Sequence, residues 1–87
     1  MMYQTNEELV EFANKLKMLR EESGLSLRAL AEELNISKSA LQQYESAISD
    51  PSMTVVRRIA DYFDEDANWL VGITKVRTKG GNIKKMA

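Results

Sequence analysis

Eighty-seven residues make a single small domain, and one of this size buries only about 60–65% of its unfolded surface, which leaves little room for a deep catalytic cleft beside a core. Apolar residues at 44% and charged residues at 29% are those of an ordinary soluble chain, while the lack of cysteine and histidine excludes disulfides, thiolate nucleophiles, imidazole bases and the usual zinc ligands together. The formal charge of −1 is unevenly spread: residues 1–74 carry thirteen acids and seven bases, residues 75–87 five bases and no acid, so affinity for nucleic acid cannot be argued from a globally basic balance.

Apolar residues recur at helical spacing along most of the chain and predict five helices. The first runs from about Asn6 to Ser23. Thr5 and Glu8 form a T-x-x-E capping box, Leu9, Phe12, Ala13, Leu16 and Leu19 make one apolar face, and Gly24 sits where a left-handed terminator is wanted. The second runs from about Leu27 to Leu34 behind the N-cap Ser26, with Leu25 and Leu30 at the spacing of a hydrophobic staple. Leu30, Ala31 and Leu34 face inward.

The third helix spans about Lys38 to Ser46, capped by Ser37. Ile36 and Leu41 repeat the staple spacing, and Leu41 and Tyr44 continue the buried face. Between the second and third helices lie only Asn35, Ile36 and Ser37. Asparagine tolerates the left-handed conformation that a sharp turn demands, so the two short helices cross steeply, as a helix-turn-helix. The fourth begins near Pro51-Ser52, capped by Asp50 or Ser52, and turns Met53, Val56, Ile59, Ala60 and Phe63 inward. A short fifth, about Ala67 to Val71, follows the cap Asp66 and ends at Gly72. From Lys75 onward, with Gly80-Gly81, the chain reads as a basic, flexible tail.

No apolar run approaches the ~20 residues of a membrane span, and the start lacks a basic segment followed by an apolar signal core. The expected location is the cytoplasm, with no membrane partner. Asp64 to Asn68 begins like a calcium loop, but its sixth position is Trp69 rather than glycine and its twelfth Lys75 rather than glutamate, so that reading is rejected. Those acids complement the N-terminus of the fifth helix. Serines and lysines at helix starts are caps and solvated ends, and no glycine-rich phosphate loop is present. Neither an enzyme nor a cofactor is expected.

The third helix opens with Lys38, Ser39, Gln42 and Gln43 outward and has no acid before Glu45. Glutamine pairs bidentately with adenine N6 and N7, lysine donates to guanine O6 and N7, and serine bonds several base edges. On composition alone this stripe is equally an ordinary polar face. The ordered series Gly24-Leu25-Ser26, Leu30-Ala31, Leu34 through Ser39, Leu41, Tyr44-Glu45 and Pro51-Ser52 resembles the XRE/Cro family of lambda-repressor-like DNA-binding domains. It matches without a gap from Gly24 to Gly72 and extends back through the first helix.

The resemblance implies an all-α, five-helix domain over residues 1–74, with residues 75–87 as its tail. It also implies roles. Arg20 and Glu45 fall where the family has a structural ion pair. Ser37, Lys38, Ser39 and Gln43 match the positions that touch base edges, with Gln42 at their margin. Ser26, with Leu27 and Arg28 behind it, lies where the family meets phosphate through backbone N–H groups and side chains. Trp69, Leu70 and Ile73 are either core or a dimer seam. The implied protein is a bacterial or phage regulator, a homodimeric repressor of a roughly palindromic operator on double-stranded DNA. The alternative on the same fold is an antitoxin or other module that grips a protein partner.

Three departures stand out. Leu27 replaces a frequent glutamine that bonds phosphate and braces the first reading residue. Ala47 replaces a usual turn glycine. Glu65 replaces an apolar residue before the last helix, which weakens a core contact or exposes that corner. The basic tail either tracks the DNA backbone or is a solubilising terminus.

Overall fold

A hydroxyl or carboxylate placed just before each of four short apolar stretches starts a helix by accepting a hydrogen bond from a first-turn N–H. Ser26 accepts from Ala29, Ser37 from Ala40, Ser52 from Val55 and Asp66 from Asn68. The computed structural model describes residues 6–75 and 77, and across them runs the order α1 (Asn6–Glu22), α2 (Leu27–Leu34), α3 (Lys38–Glu45), α4 (Met53–Phe63) and α5 (Ala67–Leu70). The capping box at Thr5 and the tail beyond Arg77 lie outside the described residues.

All five helices end the same way. Gly24, Asn35, Ala47, Asp64 and Gly72 adopt positive φ, and the N–H of the following residue reaches back to a last-turn carbonyl, as in Leu25 to Arg20 at 3.2 Å, Ile36 to Ala31 at 3.0 Å and Ile48 to Gln43 at 2.9 Å. This is the Schellman stop, which satisfies carbonyls the helix leaves open. The expected ends overrun α1, α3 and α5 by one residue each: α1 closes at Glu22, and Ser46 and Val71 have already left helical geometry, with ψ near zero.

The helices pack around one core. Phe12, Leu16, Leu30, Leu34, Leu41, Val56, Ile59 and Leu70 are fully enclosed. Helix α1 lies against α3 and α5, α2 against α3 and α4, and α4 against α5. Leu25 and Ile36, the outer halves of the two staples, are half-buried on this cluster. Met53 departs from the periodicity. It is 56% exposed, because a first-turn side chain leans toward the helix N-terminus and projects past the start of α4, leaving Val55 and Val56 to fill the core.

The corner before α5 is closed by charge. Glu65 neither opens the corner nor stands alone: it is 3% exposed, and its carboxylate takes a two-pronged bond from Arg77, with Nε to Oε1 at 3.0 Å and Nη2 to Oε2. The Arg77 guanidinium lies 4.8 Å from the centre of the Trp69 ring, and Lys15 Nζ lies 4.6 Å from that same centre. Lys15 also donates to the Trp69 carbonyl at 2.5 Å and pairs with Glu11 at 3.1 Å. Trp69 is thus a core residue held between two cations, a favourable arrangement for an indole. Leu70 is wholly enclosed and Trp69 is 8% exposed, so neither offers a surface to a dimer seam; of the three residues considered for it, only Ile73 is exposed.

Replacing Arg77 with alanine leaves the Glu65 carboxylate enclosed without its cation. The expected cost is about 1–2 kcal/mol in urea denaturation, discounted because Arg77 itself is partly solvated. Adding Glu65→Met to that variant should recover most of the loss.

Candidate nucleic-acid interface

The direction of α3 follows from three residues. Asn35 takes φ 58° and ψ 45°, Ile36 packs half-buried against the core, and Ser37 starts the next helix. The turn is braced from α4, where Arg58 donates to the Leu34 carbonyl at 3.2 Å. Nothing local in the sequence marks Arg58 for this, since its partner lies on a different helix.

At the other end of α3, Arg20 grips Glu45 with two bonds, Nε to Oε2 at 2.7 Å and Nη2 to Oε1 at 3.1 Å. Its third nitrogen donates to the Leu25 carbonyl at 2.9 Å. One guanidinium therefore joins α1, the α1–α2 loop and α3. The Arg20 and Glu45 side chains are only 14% and 6% exposed, so water competes little. The bonds to Glu45 raise the Arg20 pKa above its ordinary value.

Between these anchors α3 divides cleanly. Leu41 is enclosed, and Ala40 and Tyr44 are half-buried, while Ser37, Lys38, Ser39, Gln42 and Gln43 are all exposed. At about 100° per residue the four helical members of that set cover roughly 140° of the cylinder, and with Ser37 they extend about 9 Å along the axis, under three base-pair steps. A helix about 10–12 Å wide fits a major groove about 12 Å wide. Ser37 Oγ already accepts the Ala40 N–H at 3.0 Å, so toward a ligand it retains its hydroxyl proton.

The start of α2 presents a different chemistry. Ser26 Oγ bonds the Ala29 N–H at 3.0 Å and the Ser26 carbonyl takes the Leu30 N–H, so the N–H groups of Leu27 and Arg28 have no intrahelical acceptor. The Leu27 side chain is half-buried on the core, and what it can offer an anion is its backbone N–H. Ser26 and Arg28 are exposed. A helix N-terminus with open N–H groups and an arginine suits phosphate.

Sequence reasoning overlooked Ser49, which follows the end of α3 and bonds Gln43 side chain to side chain at 2.7 Å. Two residues before it, Ala47 has φ 59°, a left-handed stop at the position where the resemblance expects a turn glycine. Among the described residues no group of three or more His, Cys, Asp or Glu side chains could hold a metal, and no helix is long and apolar enough to cross a membrane.

If the Arg20–Glu45 pair orients α3, Arg20→Ala should lose about 2–4 kcal/mol of stability by urea denaturation, because it strands an enclosed carboxylate. Arg20→Lys should recover part of that, since lysine restores charge without the two-pronged fork.

Residues 16–70 match the HTH_3 helix-turn-helix family. A protein of Pyrococcus horikoshii named as an HTH-type transcriptional regulatory protein is 42% identical over 65 residues, which covers 75% of this chain and 21% of that protein. An HTH-type transcriptional activator of Enterococcus faecalis is 32% identical over 82 residues, covering 88% of this chain and 40% of that one. The crystal structure of an HTH_3 family transcriptional regulator from Vibrio cholerae superposes with a TM-score of 0.68 at 31% identity, covering 78% of this chain and 38% of the other. The chain thus spans between about a fifth and two fifths of the length of these relatives. With the caps, the turn at Asn35 and the Arg20–Glu45 anchor in place, and more than half its length matched, the chain belongs to the HTH_3 helix-turn-helix family, with the lambda-repressor-like five-helix fold.

Proposed function

We propose that this chain is a sequence-specific DNA-binding transcriptional regulator that lays α3 in the major groove of double-stranded DNA. The observation that carries the reading is the exposed stripe Lys38, Ser39, Gln42 and Gln43 on a helix whose other face is locked into the core. Ser37 and these four residues contact base edges. Ser26, Arg28 and the N–H of Leu27 contact phosphate and set the register. The names of the relatives support the regulatory role.

Two copies on one operator place their α3 helices in successive major grooves about 34–36 Å apart, which makes the site roughly palindromic. Among the exposed apolar residues of the described part, which also include Ile48 and Met53, the proposed contact with a second copy uses Ile73, 76% exposed, and Val10, 45% exposed. Val10 precedes Glu11 on α1, and Lys75, two residues after Ile73, pairs with Glu11 at 3.5 Å. Regulation is by occlusion of a promoter, as a repressor, and the site of action is the cytoplasm, where the DNA is.

Selection of bound duplexes from a random pool should return one roughly palindromic site, with affinity falling steeply as salt rises. Gln43→Ala should cost about 1–3 kcal/mol on that site and relax preference at one base pair per half-site. Absence of any salt-dependent DNA binding would instead favour a protein-gripping module. A promoter overlapping the selected site should lose transcription in vitro when the protein is added; a gain would make it an activator.

Ile73→Lys should lower affinity for the full palindrome and leave binding to an isolated half-site unchanged. Light scattering of the complexes distinguishes one copy from two.

A further inference from the structure

The loop after α3 turns back on the helix it has just left. Ala47 takes a left-handed conformation, the Ile48 and Ser49 N–H groups both reach the Gln43 carbonyl at 2.9 and 3.4 Å, and the Ser49 hydroxyl then donates to Gln43 Oε1 at 2.7 Å. Backbone bonds set the position of Ser49, so its hydroxyl is a fixed point against which a long, exposed side chain is held.

We propose that Ser49 is a positioning residue for base recognition: it holds the Gln43 amide in one posture before DNA arrives. The inference rests on Gln43 meeting a base, as proposed above, and goes beyond it by assigning a specificity role to a residue outside the helix-turn-helix. Glutamine has three rotatable bonds, the last of them with broad preference. An untethered amide loses that freedom on binding and meets a base in many poses. With Oε1 engaged by Ser49, the amide keeps Nε2 on its opposite side as a donor, and the second lone pair of Oε1 remains for one further hydrogen. Donor and acceptor side by side are what the adenine edge requires, N7 accepting and N6–H₂ donating. Guanine, with acceptors at both positions, satisfies only one half of that amide. Among the described residues Gln42, also exposed, has no such tether, which separates a prepared reader from an adaptable one.

The test is a comparison of base preference, with the full chain on the selected duplex and on duplexes changed one base pair at a time. Ser49→Ala should reduce discrimination about five- to tenfold at the same base pair that Gln43→Ala relaxes, with non-specific affinity and salt slope unchanged. Ser49→Thr should retain it. In a Gln43→Ala background, Ser49→Ala should add nothing. Thermal melting of each variant checks that the fold is kept; if Ser49→Ala melts early, Ser49→Thr and the double variant still decide the matter. The proposal is overturned if Ser49→Ala leaves preference intact, weakens all positions equally, or has the same effect with and without Gln43. A wild-type chain that selects no sequence defeats the DNA reading and this inference together. Intact selection with a silent Ser49→Ala defeats this inference alone.

Discussion

Arg20 is where the scaffold and the proposed reading surface become one object. Its guanidinium satisfies the Leu25 carbonyl on one side and both Glu45 oxygens on the other, so the end of α1, the loop that follows and the end of α3 share a hub. Turn geometry at Asn35 aims the start of α3, but an eight-residue helix held only at its start would pivot. The pair at Glu45 removes that freedom, and Leu41 between the two ends is enclosed. A buried pair of this kind is weak evidence of net stabilisation, since both ions lose water. For the groove-reading role proposed for α3, what such a pair would supply is one fixed orientation, which matters there more than another kilocalorie.

Electrostatics over the rest of the body run against the proposed role. Residues 1–74 carry six more acids than bases, and Glu32 and Glu33 are exposed on α2. Charges farther apart than a Debye length of about 8 Å at physiological salt are largely screened, so the contact is governed by groups that reach the duplex. Arg28 and Lys38 stand at the starts of α2 and α3, where open N–H groups reinforce them. In the proposed role an acidic body would slow approach and suppress indiscriminate binding. Short-range contacts then decide where the protein stays.

Much of this fold is written locally. Ser26 and Ser37 announce helix starts because a hydroxyl needs only its own neighbours to cap, Ser52 proves the cap where Asp50 was the alternative, and Gly24, Asn35 and Gly72 announce ends for the same reason. The exposed stripe on α3 is equally legible, because periodicity gives the rotation of a helix about its own axis. What periodicity withholds is how one helix sits against another. Lys15 meets Trp69 across 54 positions of sequence, and Arg58 reaches the end of α2 from α4. Glu65 was visible as an acid in an apolar position, yet its partner lies twelve residues on, in a stretch whose composition reads as tail. Met53 fits the apolar spacing of α4 but sits too near the helix start to have anything beneath it. The tether on Gln43 was hidden because a turn expected at Ala47 does not say which side chain the returning loop will meet.

The repeated left-handed stop has a bearing on rotational phase. A helix that frayed or grew by one residue would advance whatever follows it by about 1.5 Å and swing it by about 100°, enough to carry Gln43 from the outer face to the flank. Because α2 ends at Asn35 through two backbone bonds, Asn35 to Glu32 and Ile36 to Ala31, its length does not drift, and the angular setting of α3 is inherited intact. Length in this protein is a form of aim.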